Sequence, residues 1–238
     1  MTRLVILGTG GTSRDILDAV RDLNDMAGPA RYECVAFLDD NAALWDLTLH
    51  GVPVRGPLAA ACGFDDCLFV NGIGSPQNYR GKEAIIGAVG LPIERFATIV
   101  HPTASVSRTA RLGRGTAVLQ HVTIASNACV GNHVVVLPNS IVSHDVHVGD
   151  YTCIAGGASI SGDARVGRGC YIGTSAAIIG GAIIGDGSLV GMGSVVLRNV
   201  ASDVVVVGNP ARVLRAIPSS SPIERERPSM QSRDAVSR

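Results

Sequence analysis

The sequence predicts two unlike folds in tandem: a small parallel α/β domain over residues 1–100, and a parallel β-solenoid of about five coils over residues 101–217. Two observations carry this. Near the N-terminus an apolar run, a glycine loop and a helical pattern follow one another, and further strands and helices alternate behind them. From Val106 to Val196 every sixth residue is Val, Ile or Leu, sixteen times out of sixteen.

RLVILG (residues 3–8) is a β-branched and leucine run that enters the loop Gly8, Gly10, Gly11. SRDILDAVRDLNDM follows with Ile16, Leu17, Val20 and Leu23 on one face, the spacing of an amphipathic helix. Ser13 is its expected N-cap, with Asp15 favourable in the first turn. YECVAFLDD reads as a second strand ending in Asp39 and Asp40. DCLFVNGIGS reads as a third, ending in the turn Gly72, Gly74, Ser75, and PQNYRGKEAIIGAVG as a further helix. A parallel sheet of this type, small and Rossmann-like, binds ligands at the carboxyl ends of its strands.

A period of six cannot belong to a helix, because 3.6 residues per turn would smear the stripe around its circumference. Short strands joined at corners accommodate it. Three hexapeptides make one coil of eighteen residues, stacked on the next at roughly 4.8 Å, and the residue two before each aliphatic position is small or β-branched, as at Ala128, Thr152 and Ala158. This is the hexapeptide-repeat parallel β-helix. The remainder, residues 218–238, is polar, proline-containing and aperiodic, and is expected to be disordered.

Formal charge is zero, from 20 acidic and 20 basic residues without a long single-sign run, which recommends neither nucleic acid nor a membrane surface as partner. Apolar runs are too short for a leader or a membrane span, so a soluble, cytoplasmic protein is expected. Six cysteines show neither a CxxC pair nor zinc-ligand spacing. No two of the six histidines lie eighteen or thirty-six apart, which speaks against a metal-dependent hydratase; no metal is expected.

If the chain returns to the same edge every eighteen residues, Arg108, Ser126, His144, Gly162, Gly180 and Arg198 form one column. Two glycines beyond the histidine leave a groove for a slim, extended ligand, with Arg198 near its far end. His144 can take a proton from an attacking amine or hydroxyl, Asp145 can hold its ring, and the Gly162 N–H can donate to an oxyanion. Those parts suit acyl transfer from a thioester. A solvent-facing histidine at a repeat position and glycines required by corner sterics are the plainer alternative.

The order of motifs, GTGGTSR, FLDD, HPTASVS, the repeat with an internal HD pair and a closing GNPAR, resembles the bacterial sugar acetyltransferases of the sialic-acid and nucleotide-sugar modifying type. The resemblance covers residues 1–215. It implies a left-handed winding, a homotrimer with the site between neighbouring rods, and acetyl-CoA as co-substrate. It places the catalytic base on His144, the orienting carboxylate on Asp145 and the oxyanion glycine on Gly162. Coenzyme contacts fall on Cys153, Gly162, Gly180, Arg198, Asn209, Pro210 and Arg212. Gly8, Gly10, Gly11, Ser13, Asp39, Asp40, Gly72 and Gly74 are assigned to a sugar nucleotide; Ser13 stands where a dinucleotide fingerprint needs glycine, so NAD is disfavoured. Two positions depart from the family pattern: Cys153 replaces a second histidine, and Leu137 an asparagine. The expected activity is N-acetylation of a nucleotide-linked amino sugar. The alternatives are O-acetylation of a sialic acid or related sugar and, more remotely, a non-catalytic scaffold.

Overall fold

The computed structural model describes residues 1–26 and 28–218; the expectation for the C-terminal tail falls, from residue 219 on, outside the described residues. Strand β1 (Thr2–Leu7) lies between β2 (Tyr32–Leu38) and β3 (Cys67–Asn71), paired in parallel with both. The inner part of β1, Leu4 to Leu7, is buried on both faces, as expected of a continuous aliphatic run in a parallel sheet. Helix α1 (Gly11–Met26) packs Ile16, Leu17 and Val20 into the core shared with Leu4, Ile6 and Phe37.

Two sequence expectations change here. The helix begins at Gly11, so Ser13 lies inside its first turn; fully buried, it is not an N-cap. The stretch 76–90 forms a 3₁₀ turn, Tyr79–Gly81, and a short helix α2 (Lys82–Gly87), because Gly87 and Gly90 end the helical run early.

From Ile99 to Val196 the chain winds as a three-sided prism of two-residue strands, each pairing in parallel with strands eighteen residues away. One face pairs six such strands from Ser105–Val106 to Val195–Val196, and a second pairs five from Arg111–Leu112 to Ile183–Ile184. The inward aliphatic residues form one continuous core from Val118 to Val206. Val106 and Leu112, near the first end of the rod, are half-buried. Corners take a left-handed backbone every sixth residue, at His121, Asn127, His133, Asn139, Asp145 and Tyr151 among others. Asn and Asp tolerate that conformation best after glycine.

The third face carries Ala117, Val135 and Cys153 outward, and the N-terminal domain buries all three. An Arg80–Asp203 ion pair at 2.8 Å and a hydrogen bond from the Tyr79 hydroxyl to the Gly187 carbonyl fasten the α2 region to the rod. At the first coil His101 accepts the Thr103 N–H at Nδ1 and donates from Nε2 to Asp22 of α1 at 2.8 Å. The strand Val204–Val207 pairs with Leu189–Val190 and antiparallel with Arg212–Ala216, so GNPAR is the turn of a hairpin that closes the last coil. Among the described residues no helix is long and apolar enough to cross a membrane.

At the same junction His133 is buried, its ring stacked on Tyr151 and edge-on to Phe96. Burial, with Lys82 nearby, pushes its imidazole down to about 4. An unfolded histidine titrates near 6.5, so between those values the unfolded chain binds the extra proton. This contribution is intact above about pH 6.5 and is lost as pH falls towards 4. Urea melts are expected to show a lower midpoint at pH 5 than at pH 7.5, and His133→Gln to flatten that difference.

Candidate active site

His144 and Asp145 occupy the corner between the two uncovered faces, just after the strand Ile141–Val142. The His144 side chain is 58% exposed, and Nδ1 lies 3.0 Å from Asp145 Oδ2. The carboxylate accepts that hydrogen bond, so the proton resides on Nδ1 and the lone pair on Nε2 is free to act as a base. Hydrogen bonds from His144 and from Asn127, whose Nδ2 donates to Oδ1 at 3.1 Å, hold the Asp145 carboxyl below the usual carboxylate range. Asn127 stands eighteen residues before Asp145, and stepping back one coil from Asp145 as well as from His144 would have found it.

The column predicted from the eighteen-residue step is present. A methyl group on Gly162 would lie 2.5 Å from His144 Nε2 and 3.0 Å from Nδ1, so the imidazole lies directly against that glycine. Gly180 follows one coil on, close to the Gly162 carbonyl and exposed, and Arg198 is exposed beyond it. Two successive coils therefore put only backbone beside the ring. The Gly162 N–H has no backbone acceptor among the described residues.

Cys153 does not join this column. Its side chain is 3% exposed, packed beneath Gly74 and 3.5 Å from Lys82 Nζ. The expectation of a coenzyme contact there is corrected for this chain: position 153 faces the covered side of the prism. Leu137 packs against the N-terminal domain's core, so an apolar residue there serves the domain junction. Asn209, Pro210 and Arg212 are exposed on the closing hairpin, and among the described residues the Arg212 guanidinium reaches only the neighbouring Ala211 carbonyl.

A second depression, of about 400 Å³, opens at the carboxyl edge of the N-terminal sheet. Gly8, Gly10, Gly11, Asp39, Gly72 and Gly74 line it, as the sequence predicts, together with Asn41 and Asn78. Asp39 Oδ2 accepts from the Thr9 N–H and hydroxyl at 2.9 and 2.7 Å, and Oδ1 accepts from the Asn41 N–H. That carboxylate braces the glycine loop. The amino end of α1 points into the depression, an arrangement that favours phosphate. Two expected members lie elsewhere. Ser13 is sealed behind Gly72, and Asp40 turns away to accept the Leu58 N–H. A methyl group at Gly72 would sit 2.8 Å from the Ser13 Cα. Gly72→Ala is therefore expected to wedge α1 from the sheet and lower the unfolding free energy by about 1–3 kcal/mol, measured by urea denaturation.

Comparison with known proteins fits this geometry. The family model "Bacterial transferase hexapeptide (six repeats)" matches residues 163–198. The acetyltransferase domain of PglB from Neisseria gonorrhoeae, solved with acetyl coenzyme A, shares 25% identity over 90% of this chain and 99% of that one, with a TM-score of 0.76. WeeI from Acinetobacter baumannii shares 27% identity over 90% of this chain and 100% of its own, with a TM-score of 0.75. The chain is an acetyltransferase. PerB from Caulobacter crescentus, solved with CoA and GDP-perosamine, also resembles this acetyltransferase: 25% identity, 88% of this chain, 96% of that one, TM-score 0.75. No curated protein matches the acetyltransferase in sequence.

Proposed function

We propose that the protein is an acetyl-CoA-dependent N-acetyltransferase acting on a nucleotide-linked amino sugar. The observation that carries this is the His144 imidazole, protonated toward Asp145 and lying against Gly162 at the mouth of a side-chain-free groove. His144 Nε2 takes the proton from the amine as its nitrogen attacks the thioester carbonyl. The Gly162 N–H donates to the oxygen on which negative charge develops. Asp145 stabilises the imidazolium, which then returns its proton to the departing thiolate. Acetyl-CoA supplies the activated acyl group.

The glycine-loop depression supports a nucleotide on the acceptor, since its helix N-terminus and peptide N–H groups suit a diphosphate. A free sialic acid would leave that site without a use. Both solved relatives named with CoA compounds share the two-domain fold, and PerB carries GDP-perosamine.

We further propose a homotrimer. Ile141, Ile179 and Leu197 are exposed around the His144 corner of the single chain, and a neighbouring rod would cover them and close the groove. Light scattering on the eluted protein is expected to give three times the chain mass.

The test is release of free thiol from acetyl-CoA with UDP-, GDP- and dTDP-linked amino sugars. Substrate-dependent release with one nucleotide class is expected. Acetylation of free sialic acid alone would replace this reading with the O-acetyltransferase one.

A further inference from the structure

The chain holds nineteen arginines and a single lysine, Lys82. That one lysine is fully buried, at the first residue of α2, although a cation in this position should cost several kcal/mol without a paired anion. Among the described residues its amine has no carboxylate partner. Its only side-chain partner among the described residues is the Cys153 thiol, 3.5 Å away and seventy-one residues distant in sequence. Burial, the largest influence, pushes the amine below its ordinary value and favours the neutral, nucleophilic form. Arginine could not supply that form. Gly74, which lines the nucleotide depression, rests directly on the sulfur, so only a backbone turn separates the pair from solvent.

We propose that Lys82 and Cys153 form a modification site: a peroxide-driven, thiol-reversible covalent link between the N-terminal domain and the rod. Hydrogen peroxide oxidises the Cys153 thiol to sulfenic acid and is reduced to water. The Lys82 nitrogen lone pair then attacks that sulfur, an S–N bond forms, and the hydroxyl leaves with an amine proton as a second water. The net change is loss of two hydrogens. A thiol reductant cleaves the S–N bond, restoring the amine and passing the oxidation to a disulfide of the reductant. The link would pin the turn under the nucleotide depression; that consequence alone rests on the function proposed above.

The single lysine gives a direct readout. The folded full-length protein is treated with hydrogen peroxide, denatured, its free thiols alkylated, and digested with a protease that cleaves only after lysine. Untreated protein falls into residues 1–82 and 83–238. Treated protein is expected to resist cleavage, to be about 2 Da lighter before alkylation by the loss of two hydrogens, to retain one fewer alkylatable thiol, and to become cleavable again after dithiothreitol. The treated protein is also expected to melt several degrees higher. Cys153→Ser should be cleaved whether or not it is treated. In Lys82→Met, Cys153 should advance to sulfinic acid, a gain of about 32 Da by two oxygens. Full cleavage at Lys82 in treated wild type, with Cys153 recovered as free thiol, as sulfinic acid or in a disulfide with another cysteine, would overturn the proposal even if acetyl transfer is as described. A link that forms with no effect on nucleotide affinity would leave the modification standing and remove only the pocket consequence.

Discussion

His144→Ala is expected to lower kcat for acetyl transfer by about 10²–10⁴-fold, the range in which a positioned general base acts, while KM for acetyl-CoA changes by less than about threefold. The side chain is 58% exposed and contributes nothing to the aliphatic core, so the loss should come without a change in melting temperature. Stopped or initial-rate thiol release, run beside a thermal melt, checks both halves. Asp145→Asn should give a smaller loss, about tenfold or more, because the amide can present its NH₂ to Nδ1 and favour the wrong tautomer. A variant at position 144 that keeps wild-type turnover would leave only a solvent-exposed repeat residue.

Gly162→Ala should be comparably damaging for a different reason. The added methyl would stand 2.5 Å from His144 Nε2, well inside contact distance, and the imidazole is the part free to move. Rotation of the ring away from the groove breaks its alignment with Asp145 and leaves the methyl where the thioester should lie. A fall in kcat of about 10²-fold or more is expected, with a rise in KM for acetyl-CoA, since both the proposed base and the proposed oxyanion donor are disturbed. Gly180→Ala comes nearest the Gly162 carbonyl at 3.1 Å, touches the Ser161 Cβ only at 3.9 Å, and does not reach His144. It should act mainly on KM. The contrast between the two glycines separates crowding of the base from narrowing of the groove.

The rod was legible because its geometry depends on residues that repeat. One inward aliphatic position in six and one turn per eighteen residues are enough to place Gly162 against His144 before any coordinates. Gly8, Gly10, Gly11, Asp39, Gly72 and Gly74 were likewise readable, since strand ends in a parallel sheet converge on one edge. What the pattern could not show is how the first domain sits on the prism. That docking buries Cys153, Lys82 and His133 and turns Leu137 into a junction residue, contacts that join positions far apart in sequence without any common period. Ser13 and Asp40 were misread for a more local reason. A helix starting three residues earlier than expected carried the serine behind Gly72, and the hydrogen bond to the Leu58 N–H drew the second carboxylate of FLDD away from the depression.

The most direct test is a crystal structure of the protein with acetyl-CoA and the amino-sugar nucleotide selected by the thiol-release assay. It should show the pantetheine arm along Gly162 and Gly180, the thioester oxygen about 2.7–3.1 Å from the Gly162 nitrogen, and the acceptor amine within hydrogen-bonding reach of His144 Nε2. A coenzyme bound on another face of the prism, with the His144 corner left in solvent, would contradict the account.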